Sequence, residues 1–152
     1  MKTITPFLWY DTQAEEAMNF YLSIFKDGRV LNVNRKDGKA FVVEFEILGQ
    51  RFMGLNAGPH FKFNESVSFF VSVDTQAEVD ELWDKLSEGG AKSQCGWLKD
   101  KYGLSWQIIP RKLMQLTSDP DTKKSSAVFQ AMLKMNKIVI ADLEKAAESV
   151  AA

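Results

Sequence analysis

One five-residue segment, Asp-Thr-Gln-Ala-Glu, occurs twice in this chain of 152 residues, and no other feature constrains the fold as strongly. The segment stands at residues 11–15 and again at residues 74–78, 63 positions later. Each copy follows an apolar run typical of a β-strand, Ile4–Tyr10 in the first case and Val67–Val73 in the second. Each copy also begins a helical pattern. A repeat of this kind predicts two copies of one supersecondary unit.

The repeated segment has the chemistry of a helix N-terminus. Thr12 and Thr75 can each accept a hydrogen bond from the first helical turn, and Glu15 and Glu78, three residues later, can reach back to complete a capping box. Apolar side chains then recur at helical spacing after both copies. We therefore predict a capping box at the start of both helices, with Gly89-Gly90 ending the second.

Further strand-like segments follow each predicted helix. They are Arg29–Asn34, Ala40–Ile47 and Arg51–Asn56 in the first copy, and Lys92–Leu98 and Leu104–Pro110 in the second. Asp37-Gly38 is a strong signal for a two-residue hairpin turn. The middle strand of the second copy has no clear place in the sequence. The predicted fold is α+β, with two βαβββ modules that form a curved mixed sheet.

The pattern changes to helices after the second module. Apolar spacing predicts helices near Leu113–Leu116, Ser125–Met135 and Ile140–Val150, whose apolar faces would cover the sheet or a partner subunit. We expect a single domain in which module one spans about residues 1–62 and module two about residues 63–110. A C-terminal helical extension then occupies residues 111–152.

Composition and charge argue against several classes of function. The 19 basic and 20 acidic side chains give a formal net charge of −1, so no basic surplus is available for nucleic acid. Cys95 is the single cysteine, which excludes an internal disulfide framework and is typical of a reducing compartment. The apolar stretch near the N-terminus breaks at Asp11, too early for a signal peptide, and no run approaches the length of a membrane span. We expect a cytoplasmic protein with no nucleic-acid or membrane partner.

Three separated segments carry a resemblance to a known family. They are ITPFLWYDTQAEEAMNFY at residues 4–21, LNAGPHFKFNESVSFFVSVD at residues 55–74 and QCGWLKDKYGLSWQIIP at residues 94–110. Together they resemble the PhnB-like, or demethylubiquinone methyltransferase-like, proteins of the glyoxalase/bleomycin-resistance/dioxygenase group, the vicinal oxygen chelate superfamily. The likeness extends from about Ile4 to Lys145. It implies paired βαβββ modules and commonly a homodimer.

The resemblance also implies where a metal would be held. In the superfamily, four strand positions supply His, Gln or Glu, and the open sites on the metal take the vicinal oxygens of a substrate. Counted from the repeated segment, these positions fall on Pro6, Ser68, Gln107 and either Leu55 or Asn56. At best two neutral amides remain, too weak a donor set for Zn, Ni, Mn or Fe. We therefore predict no metal site and no other cofactor.

Methyl transfer finds no support in the sequence. Transfer from S-adenosylmethionine usually needs a glycine-rich loop between a strand and a helix, whereas both strand-to-helix turns of this chain carry the repeated Asp-Thr-Gln-Ala-Glu segment. We therefore treat methyltransferase as a family name and not as evidence of activity.

Two reactive side chains have ordinary explanations beside functional ones. His60, the only histidine, can act as a general base, but its place after Gly58-Pro59 favours a surface or hinge role. Cys95 can act as a nucleophile, but free cysteine usually packs as a small apolar residue. The sequence singles out no catalytic residue. Glu44 and Glu46 share one face of a predicted strand, and the sequence leaves open which face that is.

Strand alternation predicts which side chains share the face where the family's metal would lie. The predicted set is Pro6, Leu8, Tyr10, Ser68, Phe70, Ser72, Ser105, Gln107 and Ile109.

Three functional hypotheses are compatible with the sequence. The first, which we favour, is a homodimer that binds a small organic molecule without a metal, in a pocket of aromatic and amide side chains. The expected lining residues are Tyr10, Asn56, Ser68, Phe70, Trp106 and Gln107. The second is a metal-dependent lyase, isomerase or dioxygenase of the same superfamily. The third is a structural or regulatory protein that makes contacts through its C-terminal helices. The sequence identifies no ligand and does not decide whether the chain is an enzyme.

Overall fold

The computed structural model describes residues 1–150, and the chain divides into two compact units. Unit one spans Met1–Phe63, and unit two begins at Asn64. Each unit has the element order βαβββ and forms its own four-stranded sheet, which confirms the predicted α+β class with two repeated modules. The last two residues of the predicted C-terminal extension lie outside the described part of the chain.

Unit one consists of four strands and one helix. Its elements are β1 (Phe7–Tyr10), α1 (Ala14–Ile24), β2 (Arg29–Lys36), β3 (Lys39–Ile47) and β4 (Gln50–Asn56). The sheet order is β1-β4-β3-β2, with β1 parallel to β4 and the other pairs antiparallel. Asp37 and Gly38 both have positive φ values, 51° and 77°, as the predicted two-residue hairpin turn requires.

Helix α1 covers one face of the unit-one sheet. Ala17 and Tyr21 from the helix, and Val43 and Phe45 from β3, are all buried, as the apolar spacing predicts. Gly54 allows this close packing, because a Cβ atom there would lie 2.9 Å from a Val43 methyl carbon. The helix and the sheet therefore form one apolar core.

Unit two repeats the arrangement with shorter middle strands. Its elements are β5 (Ser68–Val73), α2 (Gln76–Ser87), β6 (Ala91–Lys92), β7 (Trp97–Lys99) and β8 (Ser105–Pro110), in the order β5-β8-β7-β6. The single strand predicted at Lys92–Leu98 is wrong. Cys95 and Gly96 have φ values of 58° and 82°, left-handed conformations that a regular strand does not contain, so the segment forms two short strands.

The C-terminal helices belong to unit two. They are α3 (Arg111–Thr117), α4 (Thr122–Leu133) and α5 (Ile140–Glu148). A buried cluster joins them to strand β8; its members are Ile109, Leu113, Val128, Ile138, Leu143 and Ala147. The Cys95 and Gly96 amides also donate hydrogen bonds of 2.8 Å to the carbonyl oxygens of Met135 and Asn136. Of the two coverings that the sequence left open, the structure shows the extension packed on the unit's own sheet.

The second copy of the repeated segment forms the predicted capping box. The Thr75 side chain accepts a hydrogen bond from the Glu78 amide at 3.2 Å, and the Glu78 carboxylate accepts bonds from the Asp74 and Thr75 amides at 2.8 and 2.9 Å. These backbone donors, first that of Asp74, lower the pKa of Glu78 below its ordinary value. The carboxylate therefore remains ionised over a wider pH range.

The first copy does not form a capping box, so that prediction is wrong. Helix α1 begins one residue later in the repeat, at Ala14, and the amide of Ala14 donates instead to Asn56 Oδ1 of β4 at 2.8 Å. Glu15 points away from its own helix end and forms a bidentate ion pair with Arg35 of β2, with distances of 2.6 and 3.1 Å. The neighbouring β2 strand thus supplies a stronger partner for Glu15 than the turn itself.

Within residues 1–150, no helix combines the length and apolarity that a membrane span requires.

Because only the second copy of the repeated segment caps its helix, replacing its threonine by alanine should have a different effect from the same change in the first copy. Thr75→Ala removes a capping acceptor and should lower the free energy of unfolding by about 1 kcal/mol. Thr12→Ala removes a hydroxyl that caps no helix and should change it by less than about 0.5 kcal/mol. Urea unfolding at neutral pH measures both, and equal losses in the two variants would contradict the assignment.

Glu78→Gln serves as a control with a pH signature. Because the folded-state pKa of Glu78 is lowered, the contribution of its carboxylate to the free energy of unfolding is complete above the unfolded-state pKa. That contribution is lost as the pH falls through the lowered folded-state pKa. The stability difference between this variant and the wild type should therefore disappear in acid.

Candidate functional site

The sheet of unit two has one face packed on α2 and a second, more polar face. Phe69, Trp106 and Ile108 point toward the α2 side; Trp106 and Ile108 are buried, and the Phe69 and Trp106 ring centroids lie 5.5 Å apart. Because side chains alternate along a strand, their neighbours Ser68 and Gln107 lie on the opposite face. The strand register pairs Ser68 with Ser105, and both Phe70 and Trp97 with Gln107. We call these five residues, Ser68, Phe70, Trp97, Ser105 and Gln107, the polar face of unit two.

Three neutral hydrogen-bonding side chains meet at the centre of this face. Gln107 Nε2 donates to Ser68 Oγ at 2.9 Å. Ser105 lies directly beside Ser68 in the register, is only 1% exposed, and its hydroxyl has no hydrogen-bond partner within the described residues. A buried hydroxyl without a partner costs about 1–3 kcal/mol, so folded proteins rarely keep one without a purpose. Within the described residues, the Ser105 hydroxyl therefore keeps a donor and an acceptor that the chain itself does not use.

Aromatic rings flank the cluster. Phe70 is 48% exposed and Trp97 is half-buried, and both stand in register with Gln107. Exposed aromatic surface beside polar groups of fixed geometry is characteristic of small-molecule sites, since rings bind apolar ligand surface and polar groups orient it. The arrangement suits a flat molecule that carries a neutral hydrogen-bonding group.

A buried aspartate fixes the strand that carries this site. Asp100, 2% exposed, accepts hydrogen bonds from the amides of Tyr102 and Leu104 at 2.9 and 3.1 Å, and from Trp106 Nε1 at 3.0 Å. The turn closes at Gly103, whose φ of 86° favours glycine. Because Trp106 is held toward the α2 side, Ser105 and Gln107 must point to the polar face.

A charged pair stands near the start of β8. Lys99 of β7, which pairs with Ser105 in the register, forms a salt bridge with Glu65. The Lys99 ammonium, through its hydrogen bond, lowers the pKa of Glu65. Glu65 is well exposed and Lys99 is partly exposed, so the pair contributes little to stability. It leaves the Ser68, Ser105 and Gln107 cluster uncharged.

The structure brings together three of the six expected lining residues, Ser68, Phe70 and Gln107. Trp106 is separated from them by the sheet, on the α2 side. Ser105 and Trp97, which the expected lining set omitted, lie on the same face as Ser68, Phe70 and Gln107. The strand alternation of β8 already puts Ser105 on the same face as Gln107, whereas the position of Trp97 depends on the short strand β7.

The other two expected lining residues have structural roles in unit one. Tyr10 is 4% exposed, and its hydroxyl oxygen lies 3.3 Å from that of Tyr21 in α1. Asn56 uses both ends of its amide, since Oδ1 accepts from Ala14 and Nδ2 donates to the Ala40 carbonyl at 3.1 Å. The face predicted for Leu8 and Tyr10 is wrong, because both side chains are buried on the α1 side.

The face of the unit-one sheet opposite α1 carries aromatic and charged residues. Phe7 is 52% exposed, and Trp9 Nε1 donates to the Gly58 carbonyl at 2.9 Å. Phe61 packs edge-on against Trp9, with ring centroids 4.9 Å apart, and His60 lies at 6.4 Å in the same manner. His60 therefore joins a surface aromatic cluster.

The strand register shows the orientation of Glu44 and Glu46, which the sequence left open. Glu44 pairs in register with Met53, and Glu46 with Arg51, so both side chains lie opposite α1. Glu44 forms an ion pair with Arg51, and Glu46 with Arg29 at 3.3 Å.

Cys95, half-buried and unbridged, lies with its sulfur 3.7 Å from the Met132 carbonyl oxygen.

The residues present do not fit the superfamily's metal. The register pairs Phe7 with Met53 in unit one and Phe70 with Gln107 in unit two, so Met53 is the counterpart of Gln107. The two copies of the repeated segment are 63 positions apart, so the counterpart of Ser68 is Thr5 and not Pro6, the residue expected from the sequence. Within the part of the chain that the structure describes, no three His, Cys, Asp or Glu side chains cluster as metal ligands would. Hydroxyl, amide and thioether groups form too weak a set for a divalent transition metal.

Two βαβββ units of this kind define the fold class of the vicinal oxygen chelate superfamily, which contains the glyoxalase, bleomycin-resistance and dioxygenase proteins. Within that class, the model of the 3-demethylubiquinone-9 3-methyltransferase family matches residues 2–109, and this chain belongs to that family. The resemblance inferred from the three sequence segments is therefore confirmed. The matched part ends before α3, so the three C-terminal helices lie beyond it.

Comparison with solved structures gives the same result. The chain is 34% identical to the PhnB protein from Bacillus cereus, with a TM-score of 0.68, covering 72% of this chain and 99% of that one. A glyoxylase/bleomycin resistance protein/dioxygenase domain from Frankia has a TM-score of 0.52 at 15% identity, covering 72% and 92%. The fosfomycin resistance protein FosX from Listeria monocytogenes, solved with Mn(II) and sulfate, has a TM-score of 0.54 at 13% identity, covering 72% and 89%. At these lower identities the likeness concerns the fold alone. Among curated proteins, none matches the chain.

Proposed function

We propose that this chain binds a small, uncharged organic molecule on the polar face of unit two, without a resident metal. The observation that carries the proposal is the buried, unpartnered hydroxyl of Ser105 beside the hydrogen-bonded Ser68 and Gln107. A bound molecule with a hydroxyl, carbonyl or amide group satisfies that hydroxyl and offsets its cost. Phe70 and Trp97 supply the apolar surface for the rest of the molecule.

The chemistry of the face favours a neutral ligand over a charged one. Its central groups are two hydroxyls and one amide, which hydrogen-bond without providing a counter-charge. Lys99 and Glu65 neutralise each other. A charged ligand would lose its hydration without gaining an ionic partner, and that loss is costly.

Absence of a resident metal follows from the donor set and forms part of the proposal. By the strand register and the offset between the two units, Thr5, Met53, Ser68 and Gln107 are the counterparts of the superfamily's ligand positions, and none has a carboxylate or an imidazole. A cation that water solvates well gains too little from such groups to stay bound.

A cytoplasmic location is also proposed, supported by the single unbridged cysteine, Cys95.

Thermal unfolding of chelator-stripped protein tests the metal part of the proposal. A metal at a hundred times its dissociation constant adds about 2.7 kcal/mol to the folded state. We expect no such rise with Zn²⁺, Ni²⁺, Mn²⁺, Fe²⁺ or Mg²⁺. A saturable rise with any one of them would show that this chain assembles a metal site from other residues.

Ser105→Ala separates a binding role from a purely structural one. Because the hydroxyl is buried without a partner, its removal should leave the stability of the free protein unchanged or raise it by up to about 1 kcal/mol. The same change should weaken ligand binding. Ligand-observed NMR with a panel of neutral aromatic amides and phenols measures binding, with the matching carboxylates and amines as charged comparisons.

Ser72→Ala is the matched control, because Ser72 lies on the same sheet face but is exposed and carries no unsatisfied buried group. Affinity for members of the panel should fall in Ser105→Ala and remain in Ser72→Ala. The proposal fails if no neutral aromatic compound binds, or if Ser105→Ala lowers stability and leaves the affinity unchanged.

We also propose that the chain forms a homodimer. Strand β2 is an edge of the unit-one sheet, and its Val30 and Leu31 are 48% and 36% exposed. An unpaired edge with exposed apolar side chains favours pairing with another chain. Sedimentation velocity should give the mass of a dimer for the wild type and of a monomer for Val30→Lys. Leu48→Lys, in an exposed hairpin turn, should remain dimeric, and a wild-type monomer at every concentration would refute the proposal.

A further inference from the structure

Unit one contains an open cleft of about 490 Å³ beside the start of α1. The first copy of the repeated segment forms one wall, the end of the β2–β3 hairpin forms another, and the last residue of β4 completes it. The polar and charged residues of its lining include Asp11, Thr12, Lys36, Lys39 and Asn56. The cleft belongs to unit one, whereas the polar face belongs to unit two, so it is a separate candidate site.

The walls of the cleft are fixed by internal contacts. Asn56 bonds to both Ala14 and Ala40, which ties β4 to the start of α1 and to the start of β3. The bidentate pair of Arg35 with Glu15 joins the hairpin to the helix. Pre-organised walls of this kind lower the entropy cost of binding a small molecule.

Unit two shows what the repeated segment does when its side chains have partners. Asp74 binds the guanidinium of Arg111 at 2.7 Å, and Thr75 caps α2. Gln76 binds the carbonyl of Ile138 at 3.0 Å and the amide of Ile140 at 2.8 Å. The polar groups of this copy are therefore occupied by the chain itself.

Two counterparts of these groups remain available in unit one. The Asp11 carboxylate and the Thr12 hydroxyl, counterparts of Asp74 and Thr75, have no ion-pair or hydrogen-bond partner among residues 1–150. Lys39 likewise has no salt bridge in that range. All three line the cleft. The Lys36 ammonium also lines it and is held 3.9 Å from the centre of the Phe41 ring.

We propose that this cleft binds a small zwitterion, a molecule that carries both a cationic nitrogen and a carboxylate. The nitrogen binds Asp11, as the guanidinium of Arg111 binds the equivalent Asp74 in unit two. The carboxylate binds Lys36 and Lys39, and the Thr12 hydroxyl provides a further hydrogen bond. Ligand binding at the cleft goes beyond the function proposed for unit two and stands independently of it.

The charges of the lining also indicate the balance of charge in the ligand. Glu15 and Arg35 neutralise each other, and the Arg35 hydrogen bonds lower the pKa of Glu15, so the pair stays ionised at neutral pH. Asp11, Lys36 and Lys39 then leave one excess positive charge. A ligand with one ammonium and two carboxylates complements this lining better than one with a single carboxylate.

An NMR titration of the full-length protein with three probes tests the proposal. L-Glutamate has one ammonium and two carboxylates, glutarate lacks the ammonium, and 1,4-diaminobutane lacks the carboxylates. L-Glutamate should shift the amide signals of Thr12, Gly38 and Lys39 saturably. Glutarate and 1,4-diaminobutane should each bind at least roughly tenfold more weakly than L-glutamate, because each lacks a charged group that hydrogen-bonds to the lining.

Variants separate specific recognition from general charge attraction. Asp11→Asn should abolish the advantage of L-glutamate over glutarate, and Lys36→Gln with Lys39→Gln should abolish binding of both. These three side chains are exposed, so the fold should persist. Lys123→Gln with Lys124→Gln, which removes two lysines at the start of α4, is the charge-matched control and should bind as the wild type does.

Any one of three results would overturn the proposal. The first is the absence of saturable shifts at the cleft with L-glutamate. The second is equal binding of L-glutamate and glutarate to the wild type, and the third is an undiminished preference for L-glutamate in Asp11→Asn.

Discussion

The hydrogen bond between the Trp106 indole and the buried Asp100 carboxylate fixes much of unit two. Asp100 also accepts two backbone amides from the turn before β8, so a single side chain sets both the shape of that turn and the first residues of the strand. Trp106 is thereby committed to the α2 side. Since neighbouring side chains on a strand point to opposite faces, Ser105 and Gln107 are committed to the polar face. The candidate ligand site is thus a consequence of how one buried aspartate is satisfied.

The two copies of the repeated segment show that identical residues acquire different roles from their surroundings. In unit two, Thr75 and Glu78 satisfy the start of their own helix. In unit one, the long β2–β3 hairpin brings Arg35 to Glu15, and β4 ends with Asn56 in place to cap α1 instead. The middle strands of unit two are too short to provide such partners. The long hairpin therefore forms a wall of the cleft in unit one, whereas in unit two the C-terminal extension occupies the repeated segment through Arg111, Ile138 and Ile140.

The C-terminal helices extend the core of unit two beyond the family's matched region. Their apolar cluster includes Ile109 of β8, and Gly96 allows the contact, since a Cβ atom there would lie 2.7 Å from Ile109 Cδ1 and 3.2 Å from Ile138 Cγ1. The B. cereus relative is covered almost completely by 72% of this chain. The loop between α4 and α5 holds the irregular segment between β6 and β7, because the Cys95 and Gly96 amides, at left-handed backbone conformations, donate to the carbonyl oxygens of Met135 and Asn136.

The sequence alone determined the class of fold, the two modules, the family, the Asp37-Gly38 turn and the capping box of α2, because each depends on local spacing and on residues close in the chain. It misplaced the unit-one counterparts of Ser68 and Gln107, which the strand register puts at Thr5 and Met53 and not at Pro6 and Leu55 or Asn56. Only the tertiary structure decided that Glu15 binds Arg35, that Asn56 caps α1 and that Tyr10 and Trp106 are buried. It likewise decided that Trp97 lies on the same sheet face as Ser105 and Gln107. Each of these depends on which strand lies beside which and on the register between them, and such long-range pairing is not encoded in the spacing of neighbouring residues.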